Sequence, residues 1–266
     1  MINTEQDSHY AHLDQMTVGE LIRGINSEDH TVPDAVEEAL PQIESAIQKI
    51  IDRMHKGGRV FYMGAGTSGR IGVVDASEIP PTYGVRDKFI GLIAGGNEAM
   101  FQAVEGAEDD FNRGWEDLQP YNPNPNDTIV GLAASGRTPY VIGAIQKAKE
   151  EGLLTVCITC NQESELSKYA ECPIEVITGP EFVTGSTRMK AASAEKMVLN
   201  MISTVSMIAL GHVQGNKMMD MQLTNAKLID RGTRMILEKT QITDYEQAKA
   251  LLLKYGSVRK AVESLK

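Results

Sequence analysis

Five short runs rich in Val and Ile recur along the chain: RVFYMGAG (59–66), KFIGLIAGG (88–96), DTIVGLAASG (127–136), LLTVCITCN (153–161) and PIEVITG (173–179). Segments of helical length separate most of them. Continuous apolar runs of this kind are buried on both faces, and alternation with helices makes their neighbours parallel. The pattern therefore predicts an α/β fold, a doubly wound parallel sheet with helices on both sides. Several runs end in small residues, and the carboxyl ends of such strands are where open α/β sheets place ligands.

The flanking segments read as helices. TVGELIRGI (17–25) puts Val18, Leu21, Ile22 and Ile25 on one face and marks residues 1–30 as an N-terminal docking segment. From Thr31, a possible cap with Pro33 in the first turn, apolar residues recur through Val36, Leu40, Ile43, Ile47, Ile50 and Met54 until Gly57-Gly58. That spacing predicts one long helix, bent by Pro41. Residues 186–213 are small and apolar with few charges, as expected of a buried helix. Residues 31–229 are thus expected to form the main domain and residues 230–266 a short helical tail, with TRMILEKT and DYEQAKALLLKYG as amphipathic helices.

Thirty-six acidic against 26 basic residues give a formal charge of −10, which argues against binding to nucleic acid or to an anionic membrane. The N-terminal residues lack the basic and apolar parts of a signal peptide. The most apolar stretch, 197–210, is interrupted by Asn200, Ser203, Thr204 and Ser206 and is too short to span a bilayer. Three cysteines form no disulfide framework. These features predict a cytoplasmic protein. Cys157 and Cys160 spell C-I-T-C, but inside a strand they face opposite ways, so core thiols are expected rather than a redox pair. The five histidines show no metal-ligand constellation, and no metal or cofactor is implied. The methionines clustered between 189 and 221 read as core filler.

Three turns share a chemistry: GAGTSGR (64–70), AASGRTP (133–139) and TGSTR (184–188). Glycine admits a ligand close to the backbone, Ser and Thr hydroxyls donate, and the free N–H groups of a following helix hold an anion without a dedicated lysine. Together they predict a phosphate cradle. GAGTSG also matches the dinucleotide pattern G-x-G-x-x-G, but no acid stands about 20 residues further on at a strand end. The G-K-[ST] of a P-loop is absent. Arg188 and Lys190, just after the third turn, are placed either to pair with a ligand's charge or to form a surface salt bridge. Two acids stand near these turns in sequence: Glu78 in DASEIPPTYG and Glu108 in AVEGAEDD. If both elements leave the sheet edge that bears the turns, their carboxylates converge above the phosphate, where burial tunes an acid for proton transfer. A solvated acidic helix face formed by Glu105, Glu108, Asp109 and Asp110 is the plainer reading of the second.

GAGTSGRIGVVDASEIPPTYGV, GLIAGGNEA with AVEGAED, GLAASGRTPYV, GPEFVTGSTRMKAASAEKMVLNM and NKMMDMQLTNAKLIDR together resemble the N-acetylmuramic acid 6-phosphate etherase family, in order from about residue 31 to 231. The resemblance implies the sugar-isomerase (SIS) fold, a doubly wound α/β sandwich that binds phosphosugars. It also implies cleavage of the D-lactyl ether to give N-acetylglucosamine 6-phosphate and D-lactate, during recycling of cell-wall sugars. By motif, Glu78 matches the family's acid and Glu108 its second active-site residue, here the base for the C2 proton. Gly66, Thr67, Ser68, Ser135, Gly136 and Thr138 match the phosphosugar-binding turns, while Ser186, Thr187 and Lys190 close the pocket. The resemblance further implies a homodimer with its site near the interface. Only 266 − 231 = 35 residues follow Arg231, a shorter tail than the family pattern carries. Two other functions fit the same fold. A glucokinase-regulatory type of protein senses a phosphosugar without catalysis, but resembles two SIS halves in tandem. An aldose–ketose isomerase needs a C2 base, but leaves the DASE acid without a task.

Overall fold

A computed structural model describes residues 2–265. Its five parallel strands are β1 (Val60–Gly64), β2 (Phe89–Ile93), β3 (Thr128–Leu132), β4 (Leu154–Thr159) and β5 (Cys172–Glu175), in the order β2-β1-β3-β4-β5. Four fall inside the apolar runs, and β5 begins one residue before the fifth. The helices are α1 (Val18–Asp29), α2 (Thr31–Glu38), α3 (Leu40–His55), α4 (Gly66–Ser77), α5 (Ile79–Tyr83), α6 (Arg113–Leu118), α7 (Pro139–Glu150), α8 (Glu165–Tyr169) and α9 (Lys190–Ala209). After a two-residue hairpin pair, β6 (Val213–Gln214) and β7 (Lys217–Met218), the chain closes with α10 (Ala226–Lys239), α11 (Tyr245–Tyr255) and α12 (Val258–Glu263).

Strand alternation divides the core in two. Tyr62, Val130, Val156 and Ile158 pack with α2, α3 and α9, whereas Phe61, Met63, Ile129 and Cys157 pack with α7. Cys160 belongs to the first layer and Cys157 to the second, as strand geometry requires. Burial pushes the Cys157 thiol up to about 12 and Cys160 well above the usual range, so both are unreactive core groups. Met207 fills the main core and Met219 and Met221 a third cluster built on α10, α11 and α12.

Three helical expectations need correction. The single helix from Thr31 breaks at Ala39 into α2 and α3, because Pro41 has no N–H for the Glu37 carbonyl and its ring crowds that turn. The docking helix is α1, held by a Thr17–Glu20 capping box, but its contact centres on Gly24, whose backbone lies against Phe182. Val18 and Ile22 remain exposed and Leu21 and Ile25 half-buried. In the tail, α10 begins at Ala226, capped by the Asn225 side chain, so it runs across residues 229 and 230 without a break. No helix among the described residues is long and apolar enough to cross a membrane.

Candidate active site

The strand order reverses direction between β1 and β3: β1 leads to β2 on one side, and β3 leads to β4 on the other. Neighbouring strands diverge there into α4 and α7, opening a crevice at their carboxyl ends. The first two Gly/Ser turns are the connections at that point. GAGTSGR carries β1 into α4, and AASGRTP carries β3 into α7.

Both turns require their glycines. A Cβ on Gly69 would lie 2.7 Å from the Gly64 carbonyl oxygen and 2.7 Å from Ile93 Cγ1, so α4 packs on β1 only without one. Gly136 has φ +66°, and its Cβ would meet Ser164 Oγ at 2.4 Å. Neither helix is capped by a side chain: Ala65 and Thr138 occupy the N-cap positions without accepting an N–H. The N-termini of α1, α8, α10, α11 and α12 are all capped. The first N–H groups of α4 thus stay available for an anion, whereas α7 opens with Pro139, which has none, and Tyr140 N donates to the Glu108 carbonyl; on that side the half-buried Ser135 and Thr138 supply hydroxyls, as Thr67 and Ser68 do on α4.

The third turn differs. TGSTR does not open α9, which starts only at Lys190, and the Glu181 carboxylate accepts from the N–H groups of Lys190 and Ala191 at 2.8 and 3.0 Å. That helix terminus already holds an anion. Ser186 and Thr187 remain half-buried in the preceding loop. The Lys190 ammonium, 3% exposed, is paired with Glu28 of α1 at 2.6 Å. Of the two readings of Lys190, ligand contact gives way to the ion pair, because a buried ammonium needs a fixed counter-charge.

Glu108 lies at the first site. After β2 the chain passes Gly95 and Gly96, with φ of +86° and +68°, makes a short 3-10 helix (Gly96–Met100), and forms no α-helix until α6. Glu108 therefore stands on an irregular loop rather than the expected helix, its carbonyl accepting from Tyr140 N at the start of α7. A cavity of about 340 Å³ is lined by Gly66, Arg70, Val104 and Glu108 among others. The exposed Glu108 carboxylate and the opening turn of α4 therefore share one hollow.

Glu78 does not join them within the chain. Gly69 packs on Gly64 and Ile93 at the strand ends, Gly72 on Tyr62, and Val73 on Gly91, so α4 runs antiparallel to the strands. Glu78 is its C-cap, about 18 Å from the turn at 1.5 Å per residue, and exposed at the opposite edge of the sheet. The expectation that both acids leave one edge fails because the DASE motif ends the helix that the turn begins. Pro80 and Pro81 lie in the first turn of α5, where a missing N–H costs nothing.

Several contributors escaped the sequence reading. Thr4 is buried at this edge, its N–H donating to Asn161 Oδ1 and its hydroxyl accepting from Asn161 Nδ2, and Ser8 N donates to Thr184 Oγ1. The N-terminal segment thereby straps the loops after β4 and before α9. Glu195 of α9 is fully buried with one carboxylate oxygen 2.9 Å from Ser68 Oγ, and burial pushes it up to about 8. Its only sequence signal was an acid inside an otherwise small and apolar stretch.

Comparison with known proteins places these features in a wider set. Residues 42–149 match the family model described as the glucokinase regulatory protein N-terminal SIS domain, and residues 120–226 match the SIS domain model. An N-acetylmuramic acid 6-phosphate etherase of Bacteroides thetaiotaomicron is 60% identical over 98% of this chain and 94% of its own. One of Porphyromonas gingivalis is 57% identical over 99% and 96%. One of Lactococcus lactis is 56% identical over 89% of this chain but only 80% of its own. Among solved structures, phosphoheptose isomerase from Neisseria gonorrhoeae superposes with a TM-score of 0.54 at 14% identity, covering 71% of this chain and 98% of that one, a likeness of fold.

Proposed function

Since the chain belongs to the N-acetylmuramic acid 6-phosphate etherase family, we infer that it cleaves the D-lactyl ether of N-acetylmuramic acid 6-phosphate to give N-acetylglucosamine 6-phosphate and D-lactate, in cell-wall sugar recycling. The near-full-length identity to etherases favours this over a sensor or an aldose–ketose isomerase. The observation that carries the site is the uncapped start of α4 at the β1/β3 divergence, faced by the Ser135 and Thr138 turn, with Glu108 in the adjoining hollow. The phosphate sits on the first N–H groups of α4 and on the hydroxyls of Thr67, Ser68, Ser135 and Thr138. Local dipoles do this work, so a net charge of −10 is no obstacle to an anionic substrate.

An alkyl ether is a poor leaving group, and the chemistry needs an acidic neighbour. Opening of the sugar ring puts C2 beside an aldehyde, which stabilises the carbanion left when the C2 proton is removed. Glu108 takes that proton, Glu78 protonates the C3 oxygen as lactate departs, and water adds to the unsaturated aldehyde to restore the C3 hydroxyl. One carboxyl must be ionised and the other protonated at the start.

The two acids meet only between chains. Thr67, Ile71, Val74 and Glu78 recur at four, three and four residues and share one face of α4, with Val74 48% exposed. Beside it α9 presents Met201, Val205 and Ile208, the last two exposed. A second copy packed antiparallel on this stripe buries it and carries each Glu78 to the other chain's Thr67 turn, an isologous homodimer with two composite sites. The reading carries a cytoplasmic location with it.

Release of D-lactate from the 6-phosphorylated sugar tests the activity; none released by the folded protein refutes it. Exchange of the C2 proton with solvent deuterium separates the roles. Glu108→Gln abolishes exchange, while Glu78→Gln loses lactate release more than exchange. Exchange retained in Glu108→Gln would instead assign both proton transfers to Glu78.

A further inference from the structure

Glu195 stands outside the chemistry just described, yet it touches the substrate turn. Its side chain projects from α9 toward α4, 0% exposed. Oε1 lies 2.9 Å from Ser68 Oγ, and Oε2 has no hydrogen-bond partner among the described residues. Ser68 is the third residue of α4 and belongs to the set of free donors at its N-terminus.

A hydroxyl has one proton and can direct it one way at a time. We propose that Glu195 is a positioning residue that sets the direction of the Ser68 hydroxyl: as a carboxylic acid it donates to Ser68 Oγ and leaves the Ser68 proton for a phosphosugar oxygen, and as a carboxylate it accepts that proton's hydrogen bond itself. The inference rests on the reading of the α4 turn as the phosphosugar site. The carboxylate state also places a negative charge one hydroxyl away from the bound anion.

The surroundings favour the acid form at neutral pH. Burial, opposed only by the Ser68 hydrogen bond, raises the Glu195 carboxyl to about 8. Among the described residues no cation is paired with it. On its own helix, Lys190 is committed to Glu28 and Lys196 to Asp75 of α4. Glu181 is held by the N–H groups that open α9. Cys160 and Tyr62, from the sheet, are held in their neutral forms by burial. From α2 and α3 the packed side chains are apolar, including Val32, Val36 and Ile43, while Asp34, Glu37 and Glu38 are exposed.

The experiment measures Kd for N-acetylglucosamine 6-phosphate from about pH 7 to about pH 10, a range in which the ligand's phosphate no longer titrates. Wild-type protein loses affinity above about pH 8, by up to about tenfold per pH unit. Glu195→Gln, whose amide donates to Ser68 at every pH, keeps the neutral-pH affinity and shows no such step. Ser68→Ala binds more weakly at neutral pH and also lacks the step. A Glu195→Gln profile that copies the wild type, or that is as weak as Ser68→Ala throughout, overturns the role of Glu195. Wild-type protein that binds at no pH overturns the phosphosugar reading of the turn instead. Should Glu195→Gln not fold, the infrared carbonyl band of a buried carboxylic acid in the wild type serves: its loss with pH must share a midpoint with the loss of affinity, and midpoints more than about one unit apart overturn the link.

Discussion

Mixing two inactive variants distinguishes a composite site from one within a chain. In-chain chemistry would require Glu78 and Glu108 to approach one substrate within hydrogen-bond reach, about 3 Å from each reacting group. α4 alone separates Glu78 from the turn beside Glu108 by about 18 Å, and closing that gap means unwinding a helix whose glycines are packed on β1 and β2. In a two-fold dimer each site takes Glu108 from one chain and Glu78 from the other. When Glu78→Gln and Glu108→Gln proteins are mixed equally and reassort at random, half the dimers are hybrids, and each hybrid has one site with both acids intact and one with neither. Lactate release should recover to about a quarter of the wild-type rate at equal total protein. Subunit exchange is verified by native mass spectrometry of chains of different isotopic mass. A mixture with hybrids present but no activity above the separate variants refutes the arrangement, because a site made within one chain lacks one acid in every hybrid.

Three further perturbations follow from the packing. Asp127, fully buried, accepts from Arg59 N, Nε and Nη2 and from Asn124 N and Nδ2, so Asp127→Ala leaves Arg59 without its counter-charge; a loss of about 3–5 kcal/mol in urea unfolding is expected, and a loss under about 1 kcal/mol would refute the pair's structural role. Gly69→Ala forces α4 away from β1 and should cost about 1–3 kcal/mol and weaken phosphosugar binding; unchanged melting and Kd would show that the turn tolerates a methyl group. Glu195 is raised from 4.5 to about 8 on folding, so between those values the native chain keeps a proton that the unfolded chain releases. Its contribution is fully present below about pH 4.5, falls as pH rises, and is lost by about pH 8, a change of up to about 5 kcal/mol that Glu195→Gln should abolish; parallel stability profiles for the two proteins would count against it.

The strands were legible because their signal is local. Val60 to Met63 or Leu154 to Ile158 are recognisable as buried strands whatever else the chain does, and the glycine-bearing turns follow them at a fixed offset. The break at Ala39 was less so, since the apolar stripe runs on through it and only the effect of Pro41 on the preceding turn marks the end of α2. The course of the loop around Glu108 was hidden for a similar reason: its acids recur at helical spacing, but Gly95, Gly96 and Gly106 take left-handed backbone conformations that the interior of an α-helix does not admit.

Glu78 shows how far a residue's place in the fold can lie from its place in a motif. Motif likeness assigns it a role, but its position follows from a sum over α4: twelve residues of rise, in a direction dictated by the crossover from β1. That sum sends the acid to the far edge of the sheet, where one chain has no use for it. The same periodicity that carries it away aligns it with Thr67, Ile71 and Val74 on a single exposed face. A two-fold axis across that face would exchange the ends of the helix, so on the proposed dimer the distance that defeats a site within one chain would be the distance a second chain needs to complete two.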